Sequence, residues 1–242
     1  INVWAGDRCG TNSCATSDVN PIVKLDPDGN VLTSFGAGLI IWPHGMDVDS
    51  EGNVWVVDAR AASARELEAN PGAAGKGHTV LKFSPEGELL MTLGTGGEAG
   101  DPPTHFDAPN DVLIAPNGTI YVGDTHGAQF QDAAGPTSKS RISMFEPDGT
   151  FIKSFGEFGY EDGQFRSPHS LAMDSQGRLF VADRGNSRIV VWNELPYPKE
   201  EEVEEEFEEL RVDDENSLIG EEEDEDDLEE EEEVPPGEPL SA

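Results

Sequence analysis

Short stretches of alternating apolar and polar residues recur along residues 1–193, and a turn that contains glycine separates the members of each pair. One such unit covers residues 43–58, and it recurs at residues 109–124 and 168–183. Alternation with a period of two is typical of strands that bury one face. Each unit is therefore predicted to be a β-hairpin that begins at a proline and ends at an aspartate.

A second hairpin alternates with the first along the chain. It covers residues 23–32, 81–90 and 143–152, and each copy has a Pro-x-Gly turn. Two hairpins per repeat make a four-stranded unit, and radial repetition of such units produces a β-propeller. A parallel β-helix is the alternative, but its repeats are shorter and lack paired turns. The pattern predicts an all-β propeller with about three and a half blades over residues 1–193.

Residues 194–242 have a different composition, that of an acidic low-complexity tail. The chain carries 50 acidic and 15 basic residues, a formal net charge of -35, and 24 of the acidic residues lie between Glu200 and Ala242. Block charge with few apolar residues is typical of disorder, so we expect a solvated tail that meets at most a basic partner. The charge argues against nucleic-acid binding, and no apolar run approaches the roughly 18 residues of a membrane span.

The two cysteines, Cys9 and Cys14, flank a short segment that contains Gly10 and Asn12. This spacing favours a small disulfide loop, while free thiols or half of a metal site are the alternatives. A disulfide would indicate an oxidising compartment, and hence a secreted or periplasmic protein.

The repeat also places candidate chemistry. His44, Asn110 and His169 occupy one position in three repeats, directly after the proline that begins the first strand. In a propeller the first strand of each blade lines the central channel, so these residues are expected to converge at the channel mouth. Two histidines there predict a metal site whose third ligand is His126, His105 or water. The alternative is that the histidines are turn residues that cap strand edges.

The segment at residues 163–170 (GQFRSPHS), followed by residues 181–189 (VADRGNSRI), resembles an NHL repeat. Over residues 1–193 the arrangement resembles the propeller of the peptidyl-α-hydroxyglycine α-amidating lyases. The resemblance implies a six-bladed family, incomplete in this chain, with a zinc ion in the channel and a calcium ion nearby. It also implies that His44 and His169 are two of the zinc ligands and that Arg8 is the active-site arginine. The family's catalytic tyrosine is replaced here by His126, and its third zinc histidine has no match.

Two functions follow from these observations. The first is an NHL propeller that binds a peptide, a protein or a small-molecule ligand at its channel mouth. The alternative, implied by the resemblance, is a zinc-dependent carbon–nitrogen lyase that converts a peptidyl-α-hydroxyglycine into a peptide amide and glyoxylate. In that alternative Arg8 and His126 are the catalytic candidates, because an arginine can orient a carboxylate and a histidine can act as a base.

Overall fold

The structure is a computed structural model, and it describes residues 2–10, 12–124, 126 and 139–192. The predicted acidic tail, residues 194–242, lies outside the described residues. In the described part nearly all regular structure is β-strand, and no helix there is long and apolar enough to cross a membrane.

The strands group into four antiparallel sheets, the blades of the propeller, with neighbours in chain order. Blade 1 contains β1 (Val3–Gly6), β2 (Ile22–Leu25) and β3 (Val31–Phe35). Blade 2 contains β4 (Pro43–Val48), β5 (Val54–Asp58), β6 (Thr79–Phe83) and β7 (Leu89–Leu93). Blade 3 contains β8 (Pro109–Ile114), β9 (Ile120–Asp124), β10 (Arg141–Phe145) and β11 (Phe151–Phe155). A short parallel pair, β12 (Glu157–Phe158) and β13 (Gln164–Phe165), precedes blade 4, which contains β14 (Pro168–Met173), β15 (Leu179–Asp183) and β16 (Arg188–Trp192).

This arrangement confirms the predicted all-β propeller and its alternating hairpins. Three, four, four and three strands per blade match the expected three and a half blades. The segment between β5 and β6 interrupts blade 2 after its second strand. It contains the helix α1 (Ala64–Ala69) and a 3-10 turn at Pro71–Ala73.

The aspartate that ends the second strand of blades 2, 3 and 4 binds the backbone just before the first strand of the same blade. Asp58 accepts hydrogen bonds from the backbone N–H groups of Ile41 and Trp42, at 3.0 and 2.6 Å. Asp124 and Asp183 make the equivalent bonds to the residues before β8 and β14. All three side chains are fully buried. The aspartate therefore has the same structural role in all three blades.

Apolar clusters fill the space between neighbouring blades. Blades 1 and 2 share one cluster, blades 2 and 3 a second, and blades 3 and 4 a third. Their largest fully buried side chains are Trp55, Tyr121, Phe83, Phe106, Phe145 and Phe165. Because each large apolar side chain contributes about 1.5–3 kcal/mol when buried, these clusters supply most of the stability that holds the blades together.

The innermost strands of blades 2, 3 and 4 are also tied directly to one another. Asp47 of β4 accepts a hydrogen bond from the Ile114 N–H of β8 at 2.7 Å. Asp111 of β8 accepts one from the Leu171 N–H of β14 at 2.8 Å. At Gly45 of β4 a Cβ would collide with Asp111, so only glycine allows β4 and β8 to approach this closely. The three strands that line the channel are therefore held at a fixed spacing.

Candidate metal centre

Three histidines from three blades meet at the channel mouth. His44 lies in β4, His169 lies in β14, and His126 follows the end of β9. One ring nitrogen of each lies within 4.8 Å of one ring nitrogen of the other two. The ring centroid of His44 is 4.6 Å from that of His126 and 5.0 Å from that of His169. The predicted convergence of His44 and His169 is observed, and the third side chain that joins them is His126.

A β-bulge aims the two strand histidines. The pairing of β4 with β5 shifts between Pro43 and Met46, and the pairing of β14 with β15 shifts between Pro168 and Ser170. Each shift therefore includes the histidine. Bulges redirect a side chain and are frequent next to functional sites. The proline that precedes each histidine suits this place because it has no N–H to donate to the ladder.

His44 is held in one orientation by its neighbouring blade. Its Nδ1 lies 2.5 Å from the backbone carbonyl oxygen of Asn110. A carbonyl only accepts hydrogen bonds, so Nδ1 carries the proton and Nε2 keeps its lone pair. This is the arrangement that second-shell groups impose on metal-binding histidines. The backbone N–H of His126 is likewise fixed, since it donates to the Ala108 carbonyl at 2.7 Å.

The surroundings keep all three imidazoles neutral. Burial lowers the pKa of His44 to about 4, with a further contribution from His169. Burial, followed by the neighbouring His44 and His169, lowers the pKa of His126 to about 3. Burial also lowers the pKa of His169, and the positive charges of Arg184 and Arg8 add to the effect. Neutral imidazoles present the lone pairs that a metal ion requires.

Arg8 lies beside this cluster, as the resemblance implied. Its Nε donates to the Pro43 carbonyl at 3.1 Å, and its Nη1 donates to Asn12 Oδ1 at 3.0 Å. Its guanidinium carbon sits 3.8 Å from the ring centroid of Trp42. The Trp42 ring in turn meets His126 edge-on at 4.8 Å. Among the described residues, Arg8 is thus the cation nearest to the indole that borders the histidines.

The predicted disulfide between Cys9 and Cys14 is present, with a Cα–Cα distance of 5.2 Å. It closes the loop that carries Asn12, whose backbone carbonyl accepts a hydrogen bond from Trp42 Nε1 at 2.8 Å. The loop therefore holds both Arg8 and Trp42 in place at the channel mouth.

Two other polar residues considered for the site lie outside the cluster. His105 Nδ1 is 2.9 Å from Thr104 Oγ1, and its Nε2 is 3.5 Å from Glu98 Oε2. Asn110 is fully buried, and its side-chain nitrogen and oxygen make no hydrogen bond within the described part of the chain. His105 therefore does not join the three-histidine cluster, and Asn110 supplies the backbone carbonyl that orients His44.

Sequence reasoning missed Arg60, whose guanidinium carbon lies 5.9 Å from the Trp42 ring centroid. The residue belongs to a segment that has no counterpart in the repeat, so repeat alignment passes over it. A signal was present nearby, because Ser63 and Glu66 have the Ser-x-x-Glu spacing of a capping box. The structure forms that box at the start of α1.

Comparison with known proteins agrees with the geometry. Residues 165–192 match the family model of the NHL repeat. The chain is 37% identical over 176 residues to peptidyl-glycine alpha-amidating monooxygenase B of Xenopus laevis, covering 69% of this chain and 17% of that protein. It is 32% identical over 202 residues to human NHL repeat-containing protein 3, covering 76% and 52%. It is 24% identical over 174 residues to peptidyl-alpha-hydroxyglycine alpha-amidating lyase 2 of Drosophila melanogaster, covering 71% and 36%. The chain thus spans about half the length of these relatives or less.

Proposed function

We propose that the chain, which is an NHL-repeat β-propeller protein, binds a zinc ion through His44, His126 and His169. We further propose that it uses this centre to bind a peptide or a small-molecule ligand at the channel mouth. The observation that carries the proposal is the convergence of three neutral imidazoles within 4.8 Å. Peptide-binding by the relatives is suggested by their names, and it is transferred here only as part of this proposal.

The donor set favours zinc over calcium. Imidazole nitrogen suits zinc, whereas calcium takes six to eight oxygen ligands. In a tetrahedral site with zinc–nitrogen bonds of about 2.0–2.1 Å, the ligand nitrogens lie about 3.4 Å apart. The three nitrogens lie within 4.8 Å of one another, so rotation of the imidazoles has to bring them closer by up to about 1.4 Å when the ion binds. With three protein ligands a fourth position remains for a ligand oxygen, as in catalytic zinc sites.

A bound zinc ion would supply Lewis-acid polarisation of an oxygen atom of the ligand. The residues around it contribute recognition. Arg8 presents a guanidinium to the same space, and guanidinium groups bind carboxylates through paired hydrogen bonds. Trp42 provides an apolar surface that contacts both Arg8 and His126. The ligand class that suits this arrangement has a carboxylate close to a hydroxyl or carbonyl oxygen.

A second candidate function is the amidating lyase reaction. It is favoured by the position of Arg8, whose charge acts on all three histidines, and by the similarity to proteins named for alpha-amidation. In this reaction the carbon–nitrogen bond of a peptidyl-α-hydroxyglycine breaks, and the hydroxyl proton is transferred to the departing amide nitrogen. His126 would then act as the base rather than as a permanent zinc ligand.

The disulfide supports a place for the protein in an oxidising compartment, either secreted or periplasmic. Cytosolic thiols are kept reduced, and a disulfide that positions Arg8 and Trp42 would not persist there. This localisation accords with a peptide ligand that is encountered outside the cytosol.

Metal binding by the purified chain tests the proposal. We expect one zinc ion per chain, and we expect His44→Ala, His126→Ala and His169→Ala each to lower the affinity by at least about a hundredfold, since each removes one of three ligands. Elemental analysis and titration calorimetry measure both quantities. His105→Ala is the matched control, because it removes a histidine that lies outside the cluster, and it should leave the zinc affinity unchanged. Zinc binding that survives all three substitutions would refute the centre.

Glyoxylate release from a peptide that ends in α-hydroxyglycine separates the two candidate functions. In a lyase the zinc-loaded chain releases glyoxylate, and His126→Ala abolishes release while zinc stays bound to His44 and His169. In a binding protein no glyoxylate forms, and His126→Ala reduces zinc affinity instead.

A further inference from the structure

The segment between β5 and β6, residues 59–78, builds a platform beside Trp42. Helix α1 begins with a capping box between Ser63 and Glu66. Asn70 Nδ2 donates to the Ala15 carbonyl at 2.7 Å, which ties the end of the helix to the segment after the disulfide. A small apolar cluster fastens the two together, and its members are Ala15, Ile41, Ala73, Trp42, Ala62 and Leu67. The platform is therefore a built part of the channel mouth.

Arg60 is a charged residue of this platform that lies beside Trp42, with its guanidinium carbon 5.9 Å from the ring centroid. Its Nη1 and Nη2 form a bidentate ion pair with the Glu66 carboxylate at 2.9 and 3.0 Å. Nη1 also donates to the Ala61 carbonyl at 2.9 Å. A guanidinium has five N–H groups, so Nε–H and the remaining N–H of Nη2 have no partner in the described part of the chain. These two groups lie side by side and form the lateral fork that binds a carboxylate.

A second guanidinium, that of Arg8, faces the same indole. The guanidinium carbon of Arg8 lies 3.8 Å from the Trp42 ring centroid, and that of Arg60 lies 5.9 Å from the same centroid. Both cations therefore lie beside one indole. Burial lowers the pKa of Arg8, and the charge of Arg60 lowers it further. Arg60 faces the carboxylate of Glu66 and, through its charge, that of the buried Asp58. Arg8 has no carboxylate partner within the described residues, so its positive charge beside the histidines is not paired with an anion there.

We infer that Arg60 is a second ligand-binding residue of this centre and that the site selects ligands with two anionic groups. One carboxylate binds at Arg8, and the second binds at the lateral fork of Arg60. An oxygen atom between them reaches the metal ion. The inference rests on the proposed zinc centre, and it narrows the ligand class to dianionic α-hydroxy acids, or to a peptide with an acidic side chain next to its terminal carboxylate. The ion pair with Glu66 holds the Arg60 fork in place before the ligand arrives.

The test compares two probes that differ by one carboxylate. Malate (2-hydroxybutanedioate) and lactate (2-hydroxypropanoate) are titrated into the full chain, loaded with one equivalent of zinc and freed of unbound metal. We expect malate to bind at least about tenfold more tightly than lactate, because one more charge-assisted pair of hydrogen bonds forms. In Arg60→Gln the preference should fall to within about twofold, with lactate binding unchanged.

Two further variants distinguish recognition from damage to the platform. Glu66→Gln breaks the same ion pair but keeps the guanidinium, so it should retain a preference for malate. Arg65→Gln removes an exposed arginine of the same helix and should change nothing. Equal binding of malate and lactate, or a loss of preference in Glu66→Gln as large as that in Arg60→Gln, would overturn the inference while the zinc centre stands. A chain that binds no zinc would overturn the proposed function as well.

Discussion

Blades 2 and 3 follow one repeat, yet they use it differently at three places. After the first proline, blade 2 has His44 and blade 3 has Asn110. At the turn of the inner hairpin, blade 2 has Asp49 and blade 3 has Ala115. Opposite the strand-closing aspartate, blade 2 has Thr79, whereas blade 3 has an arginine. The blades have the same strands and the same pairing, so these differences isolate what individual side chains contribute.

The first difference shows how one backbone position serves two purposes. In blade 3 the strand β9 has Gly123 where blade 2 has Val57. A Cβ at Gly123 would come within 2.5 Å of Asn110 Oδ1, so glycine makes room for that side chain beneath the strand. The Asn110 side chain is buried there, while its carbonyl orients His44. Blade 3 then supplies its own histidine, His126, after β9. The repeat thus fixes the backbone at the position of His44 and Asn110. A residue on the neighbouring strand, here Gly123, determines where the Asn110 side chain lies.

The third difference predicts the largest effect. Asp124 forms a buried ion pair with Arg141, whose Nη2 lies 2.6 Å away, whereas Asp58 has no such partner among the described residues. Asp124→Ala should therefore lower the free energy of unfolding by about 3–5 kcal/mol, because it leaves the charge of Arg141 without its buried partner. Asp58→Ala should lower it by about 1–3 kcal/mol, the cost of leaving turn amides unpaired. Urea denaturation at pH 7 measures both values, and equal losses would show that the ion pair adds nothing.

The second difference predicts a smaller, pH-dependent effect. Burial acts to raise the pKa of Asp49, but hydrogen bonds from Asn53, Trp55 and Lys82 outweigh it and lower the pKa to about 2. A carboxyl group whose pKa is lower in the folded state stabilises the fold above its unfolded pKa, near 3.9, and this contribution is lost as the pH falls through about 2.

Asp49→Ala, which introduces the residue of blade 3, should lower the free energy of unfolding by about 1–2 kcal/mol at pH 7. The difference from the unmodified chain should shrink as the pH falls from 4 towards 2. Denaturation curves across this range check the prediction, with Ser50→Ala in the same exposed turn as the control. A difference that does not change with pH would exclude the carboxylate as its source.

Asn110 predicts the smallest effect. Because its carbonyl, and not its side chain, orients His44, Asn110→Ala should change zinc affinity by less than about twofold. It should change stability by less than about 1 kcal/mol, since the lost packing is offset by removing buried polar atoms that have no partner. Titration calorimetry and thermal unfolding measure the two quantities. If Asn110→Ala weakened zinc binding as strongly as His44→Ala, the amide would have to be counted as part of the centre.

Much of the fold was predictable because the repeat is a backbone property. Proline, glycine turns and the aspartate after each second strand recur at fixed places, and each has a local physical reason to do so. The helix α1 was not predicted, since repeat alignment treats the segment between β5 and β6 as an insertion. Its capping box at Ser63 and Glu66 is a local signal of the kind that reveals a helix without any repeat.

The candidate site, like the fold, was predictable where its residues belong to the repeat. His44 and His169 follow from one repeat position, because strands at equivalent places converge on the axis. His126 was considered both as a base and as a third ligand, and only the folded chain shows that it joins the other two. Arg60 reaches Trp42 through the α1 platform, a tertiary contact that no local pattern of the sequence contains.

The three histidines come from blades 2, 3 and 4, and this has a mechanical consequence. The blades are otherwise joined by apolar clusters and by the bonds of Asp47 and Asp111. A metal ion held by His44, His126 and His169 would cross-link all three blades. Separating blade 2 from blade 4 would then require a metal–histidine bond to break first. The mean force needed would therefore rise with the fraction of chains that hold the ion.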